Sequence, residues 1–149
     1  MNSKRVILSF MVASAAVVFL FQNTFSISIA AAADVDIICN KSMTENTLHR
    51  SEIKDIFLGK KSKWSDGKKI VFVTLKESKV HNAFLRKFIG KTAYQYAIYW
   101  KKMVFTGKGS LPRSFTNEKD LVDFVASMQG AIGYVSSETT KEGVKIISR

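Results

Sequence analysis

The chain has 149 residues, with 23 Lys and Arg against 12 Asp and Glu, 46% hydrophobic residues, two histidines and one cysteine. That length and composition fit one modest core and exclude a disulfide-stapled scaffold; no Cys, His and carboxylate set stands at metal-ligand spacing. The formal net charge of +11 has two readings, an anionic partner such as an oxyanion, acidic glycan, lipid head group or nucleic acid, or simply a solvated surface.

The first 33 residues read as a targeting segment. Lys4 and Arg5 precede an apolar run from Val6 to Phe21, and Ala31 and Ala33 place small residues at the two cleavage positions. A signal peptide over 1–33 is expected, cleaved before Asp34, leaving one domain over 34–149 in the periplasm or secreted, with no stable membrane insertion. The competing reading is an uncleaved anchor, which Asn23, Thr24, Ser26 and Ser28 oppose. Cys39 follows Ile38, not the small residue that lipid attachment requires, so it is expected to be buried and inert. Without Lys4 and Arg5, 21 basic residues face 12 acidic ones, and 16 of those 21 lie between Lys41 and Lys108.

Val35–Cys39 reads as a strand and Asn40–Thr44 as the loop after it. Ile53, Ile56 and Phe57 recur at helical spacing. His49 is a poor cap for that helix, so Thr47 or Ser51 is expected to serve. Gly59 stands where the helix must end, and Trp64 is the one large aromatic in the polar loop that follows. Ile70–Leu75 has the composition of a buried strand. Ser78 is an N-cap for a helix reaching Ile89, with Val80, Phe84, Leu85 and Phe88 inward and Gly90 as its stop.

A second helix is predicted over Thr92–Val104. Ala93, Ala97, Trp100 and Val104 form its inward face, with Tyr96, Tyr99 and Met103 beside it. Such a stripe reads as core packing, not base stacking, and no nucleic-acid partner is expected. Phe105–Pro112 is a loop in which Gly107 and Gly109 could turn backbone N–H groups toward an anion beside Lys108. Asn117 caps a last helix with Leu121, Phe124, Val125 and Met128 inward, Gly130 ends it, and strands follow at Ala131–Val135 and Val144–Ile147. This order gives an α/β sheet with helices on both faces.

Two fragments carry a family resemblance. Ile56-Phe57-x-Gly59-Lys60 with Trp64 and Ile70-Val71, followed downstream by Gly130-Ala-Ile-Gly-Tyr-Val135, resembles two signatures of the phosphate ABC-transporter substrate-binding proteins. The resemblance covers about Val35 to Val135. It implies a single lobe of that type II periplasmic-binding-protein fold, a mixed sheet covered on both faces. It also implies that Asn40 ends a strand at a cleft mouth, and that the loop holding Ser78 presents its hydroxyl and backbone N–H groups to an oxyanion. The chain departs from the pattern at Thr74, where phosphate binders carry an arginine four residues before that serine, and at Lys79-Val80, where they carry Gly-Thr. A bidentate clamp cannot come from Thr74; Lys76 and Lys79 offer point charges only.

Open α/β sheets bind ligands at strand ends. The candidate anion site is therefore Asn40 and Ser42, Lys76, Ser78 and Lys79, and Gly107, Lys108, Gly109 and Ser110, drawn from three lysine-bearing turns. The expected function is an exported binding module that takes a small, phosphate-like oxyanion weakly or with a partner, linked to ABC-type uptake or sensing through a membrane transporter or sensor. The alternative is an interaction protein whose basic face docks an acidic protein, lipid or glycan. Neither needs a cofactor or metal. An enzyme is disfavoured: Ser78 and His81 stand one turn apart, but a capped helix carrying a histidine accounts for the spacing.

Overall fold

The computed structural model describes residues 33–147. The expected signal peptide, apart from Ala33 at its end, lies outside the described residues. Strands β1 (Val35–Asn40), β2 (Val71–Leu75), β3 (Arg113–Phe115), β4 (Ala131–Ser136) and β5 (Val144–Ile147) form one sheet in the order β3-β2-β4-β1-β5. Four α-helices accompany it: α1 (Arg50–Phe57), α2 (Lys79–Phe84), α3 (Ala93–Phe105) and α4 (Glu118–Ser127). None of the helices among the described residues is long and apolar enough to cross a membrane.

The sheet is mixed. β2 pairs parallel with both β3 and β4, whereas β1 pairs antiparallel with β4 and with β5. Parallel neighbours need a crossover, and α2–α3 and α4 supply the two. β3 is absent from the sequence reading because it is only three residues at an edge, entered directly from Pro112.

Alternation along β4 shows how both faces are covered. Gly133 faces α4 so closely that a Cβ there would lie 2.7 Å from Leu121 Cδ2. Its neighbour Tyr134 faces the opposite way and stacks on Phe84 of α2, ring centroids 3.7 Å apart, with Phe57 of α1 edge-on to Phe84 at 4.7 Å. Edge-on contacts such as Phe57–Phe84 add about 0.5–1.5 kcal/mol beyond their buried area. Both signature fragments thus supply the same cluster: Phe57 comes from one and Tyr134 from the other.

A second link joins the fragments. The Trp64 indole N–H donates to the Gly130 carbonyl at 3.0 Å, and Ile70 N–H bonds Ser62 O at 2.9 Å. The polar loop is thereby pinned over the start of β4, which is why it holds a buried tryptophan.

Helix ends follow the sequence closely. Ser78 Oγ accepts from His81 N–H at 3.1 Å, Thr92 Oγ1 from Gln95 N–H at 3.2 Å and Asn117 Oδ1 from Asp120 N–H at 2.8 Å. α1 is the exception. Its N-cap is His49 and not Thr47 or Ser51, and Glu52 reaches back to accept from His49 N–H at 3.1 Å. α2 runs on into a π-helical turn, Leu85–Ile89, closed by Gly90 N–H on Leu85 O at 2.7 Å with Gly90 at φ 72°. Cys39 is buried, and burial pushes its thiol up to about 11.

Two predicted inward faces are rotated. In α4 the buried residues are Leu121, Val122 and Val125; the helix ends at Ser127, so Met128 lies beyond it and is 40% exposed. In α3 the buried residues are Tyr96 and Trp100, while Ala97 and Val104 are exposed. Hydrogen bonds set that rotation: Tyr96 donates to Phe57 O at 2.8 Å and Tyr99 to Leu58 O at 2.7 Å. These are carbonyls of the last turn of α1, which a helix cannot satisfy itself. Gly59 lets the Trp100 ring close over that end, where a Cβ would stand 2.9 Å from it.

Candidate functional site

A cleft of about 590 Å³ opens where β2 ends. Its lining begins with Thr74, Leu75, Lys76 and Glu77 at the tip of β2, and Ser114 of β3 lies beside Thr74 in the sheet register. Along its wall run Ala93, Tyr94, Tyr96, Ala97 and Trp100 of α3, and Leu111 and Pro112 close the other side. His81 of α2 completes it.

The polar groups in this cleft are arranged by the fold. Thr74 is 2% exposed, and its hydroxyl lies 2.9 Å from that of Ser114. His81 is 7% exposed, and its Nδ1 meets the Tyr134 hydroxyl. That hydroxyl also accepts from Leu75 N–H at 3.0 Å. The phenol oxygen has two lone pairs and one proton, so beside the Leu75 bond it can either give its proton to His81 Nδ1 or accept one from it. With Nδ1 engaged by Tyr134, Nε2 is the His81 ring nitrogen left to the cleft. Burial lowers the His81 pKa below the ordinary 6.5, with the Glu77 charge opposing, so the ring is neutral at pH 7. Burial likewise raises Tyr134 and Tyr96 well above the ordinary phenol range. The Trp100 indole N–H is buried without an acceptor in hydrogen-bond geometry; the Tyr96 hydroxyl is its polar neighbour.

The three turns expected to converge do not share this cleft. Asn40 ends β1, which runs antiparallel to β4, so it lies beside Val144 and near the starts of β4 and β2. The cleft lies at the end of β2, so Asn40 and Ser42 are at the opposite end of the sheet. Asn40 is also fully engaged. Its Nδ2 donates to Val125 O and Ala126 O, both at 2.9 Å, and its Oδ1 accepts from Ser42 N–H at 2.9 Å and Ser42 Oγ–H at 2.7 Å. It ties down the end of α4.

The glycine loop is a helix terminus, not an open nest. Gly107 N–H bonds Val104 O at 3.0 Å and Lys108 N–H bonds Met103 O at 2.9 Å, with Gly107 at φ 67°. These donors satisfy the C-terminal carbonyls of α3. Gly109 packs against Trp100, where a Cβ would stand 3.1 Å from the ring, and Ser110 is exposed. Gly107, Lys108, Gly109 and Ser110 are all absent from the cleft lining.

Of the nine residues, Lys76 alone lines the cleft. Ser78 caps α2 two residues on, and Lys79 is the exposed first residue of that helix. The sequence reading missed His81, Ser114, Tyr94, Leu111 and Pro112 as lining. A signal existed for His81: a histidine at N3 of a helix, on the same inward side as Phe84.

No family model and no curated protein matches the sequence. Solved structures do match. An ABC-type phosphate transport receptor from Vibrio cholerae superposes with a TM-score of 0.61 at 17% identity, covering 77% of this chain and 45% of that one. A phosphate-bound protein from Clostridium perfringens, assigned as a phosphate ABC transporter substrate-binding protein, gives 0.61 at 22% identity over 77% and 44% of the two chains. PstS from Borrelia burgdorferi gives 0.59 at 13% identity over 78% and 47%. The chain has the fold of these phosphate-receptor structures. It spans less than half of their length.

Proposed function

We propose that this chain is an exported binding module that holds a small oxyanion, phosphate first, at the tip of β2, in service of an ABC-type uptake system or sensor. The observation carrying this reading is the polar corner of the cleft, where Lys76, the Thr74–Ser114 hydroxyl pair and the His81 imidazole gather near strand ends. The fold shared with phosphate receptors, one of them solved with phosphate, supports it. No arginine lines the cleft, so its only full positive charge is the lysine, which gives attraction without a bidentate fork. The cleft is open to solvent, where charge contacts are weak, and Glu77 opposes Lys76. Weak binding is expected for the chain alone, strengthening when a transporter, sensor or second copy covers the cleft. Titration calorimetry of the full chain with inorganic phosphate at low ionic strength is expected to give one saturable site, weakened severalfold in Lys76→Ala. Absence of heat, or heat indifferent to Lys76, would sink the reading.

A second reading has its own support. Between Glu77 and Glu118 the chain has no acidic residue and eight Lys or Arg. On α3 in this stretch, Phe105 is 92% and Ile98 46% exposed beside exposed Lys101 and Lys102. That face suits an acidic protein surface with an apolar centre. Salt-sensitive retention of an envelope protein, lost in Phe105→Ser, is its expected signature; retention on anionic vesicles or glycan alone would refute a protein partner.

A further inference from the structure

The cleft is larger and more apolar than a bare oxyanion requires. Its volume of about 590 Å³ lies in the range that holds organic ligands, roughly 300–1,000 Å³. Phosphate is small and strongly hydrated, and gains nothing from an aromatic wall. Yet Tyr94 at 75% exposure and Leu111 at 64% stand at the cleft with their apolar surface bare to water. Trp100, Ala97 and Pro112 continue that apolar lining. On the polar side, His81 lines the cleft with its Nδ1 engaged by the Tyr134 hydroxyl, which leaves Nε2 to meet a ligand.

We infer that the cleft takes an organic phosphate, a monoester with a flat apolar body, not the free ion. The phosphoryl oxygens accept from His81 Nε2–H, from the Thr74–Ser114 hydroxyls and from Lys76. The body lies between Tyr94 and Trp100 on one side and Leu111 and Pro112 on the other. This inference rests on the oxyanion reading above and adds the ligand class to it. The neutrality of His81 suits the role: a neutral N–H donor grips an oxygen without adding charge, so selection falls on the hydrogen-bonding head and the apolar body together.

The test compares three probes against the full chain: inorganic phosphate, phenyl phosphate and phenol. Calorimetry gives affinities. Fluorescence of Trp64→Phe isolates the other tryptophan, Trp100, as a reporter in the cleft wall. Phenyl phosphate is expected to bind about tenfold or more tightly than inorganic phosphate, the scale of burying part of one ring, and to change Trp100 emission. Leu111→Ser, at an exposed position that leaves the core intact, is expected to lower phenyl phosphate affinity severalfold and leave inorganic phosphate unchanged. Equal affinities for the two phosphates overturn this inference and leave the oxyanion reading standing. Phenol binding as tightly as phenyl phosphate overturns it too, because the head then contributes nothing. If neither phosphate binds, both readings fall.

Discussion

Asn40 has two amide hydrogens and two carbonyl lone pairs, and the fold engages all four. Replacing it with Ala removes the donors that hold Val125 O and Ala126 O and the acceptor that holds the Ser42 backbone. An expected loss of about 2–3 kcal/mol follows from leaving such groups unpaired, read by chemical denaturation, with anion binding by the folded fraction unchanged. His81 gives a pH signature of opposite kind. Its folded pKa is lowered by burial, so the unfolded chain binds the proton more readily. The stability tied to the neutral ring is therefore complete above the unfolded value near 6.5 and is lost as pH falls through and below it, by at most about 1.4 kcal/mol per pH unit. Facing the ring are the Glu77 carboxylate and the phenols of Tyr134 and Tyr96, and burial keeps both phenols neutral in this range. Melting curves from pH 8 to pH 5 are expected to fall more steeply for the native chain than for His81→Asn; parallel curves would contradict burial of a neutral ring.

At the scale of elements, two sequence fragments far apart in the chain act as one joint. Trp64 bonds Gly130, and Phe57 meets Tyr134 through Phe84. Gly130 is the tightest point: at φ 74°, a Cβ would sit 2.3 Å from the Lys69 carbonyl oxygen. Gly130→Ala must therefore strain its own backbone and displace the start of β2. Its expected cost exceeds about 4 kcal/mol, in the class of changes that usually abolish folding at growth temperature. Trp64→Phe keeps the ring and loses the bond, at about 1–2 kcal/mol. Denaturation midpoints for the pair are expected in that order, and a mild Gly130→Ala would show that β2 and β4 are less tightly coupled than the contact implies. Two helices were readable because they announce their ends: Ser78 and Asn117 cap as their side chains require, and Gly90 adopts the left-handed turn, whereas the His49 cap of α1 and the short β3 were missed. The rotation of α3 was not readable. Periodicity weighs alanine and valine as inward residues, but Tyr96 and Tyr99 are drawn in by carbonyls of α1 that lie some forty residues away in sequence.

Across the whole molecule, strand direction decides what can meet. Composition marks Val35–Asn40 as a strand and says nothing of which way it runs. Because it runs antiparallel to β4, its polar end is carried away from the tips of β2 and β3, and a pocket assembled from all three lysine-bearing turns cannot form. Lys76 was legible as a residue of the cleft because it directly follows a strand of buried composition. Ser114 was not, since its only claim is the register that sets it beside Thr74. The positive charge is spread over both ends of the sheet, so position and long-range field are separable by salt. Exposed Lys41 and Lys69 stand at the end of the sheet opposite the cleft, near the end of β1 and the start of β2. At about 0.01 M salt, where the screening length is roughly 30 Å, the double change Lys41→Gln and Lys69→Gln is expected to weaken phosphate binding alongside Lys76→Ala. At about 0.15 M, where that length is roughly 8 Å, only Lys76→Ala retains its effect, because only that charge acts at contact range. Calorimetric titration of the three proteins at both salt levels reads the result. An equal loss from the distant pair at the higher salt would put the anion at the other end of the sheet and remove the tip of β2 as the site.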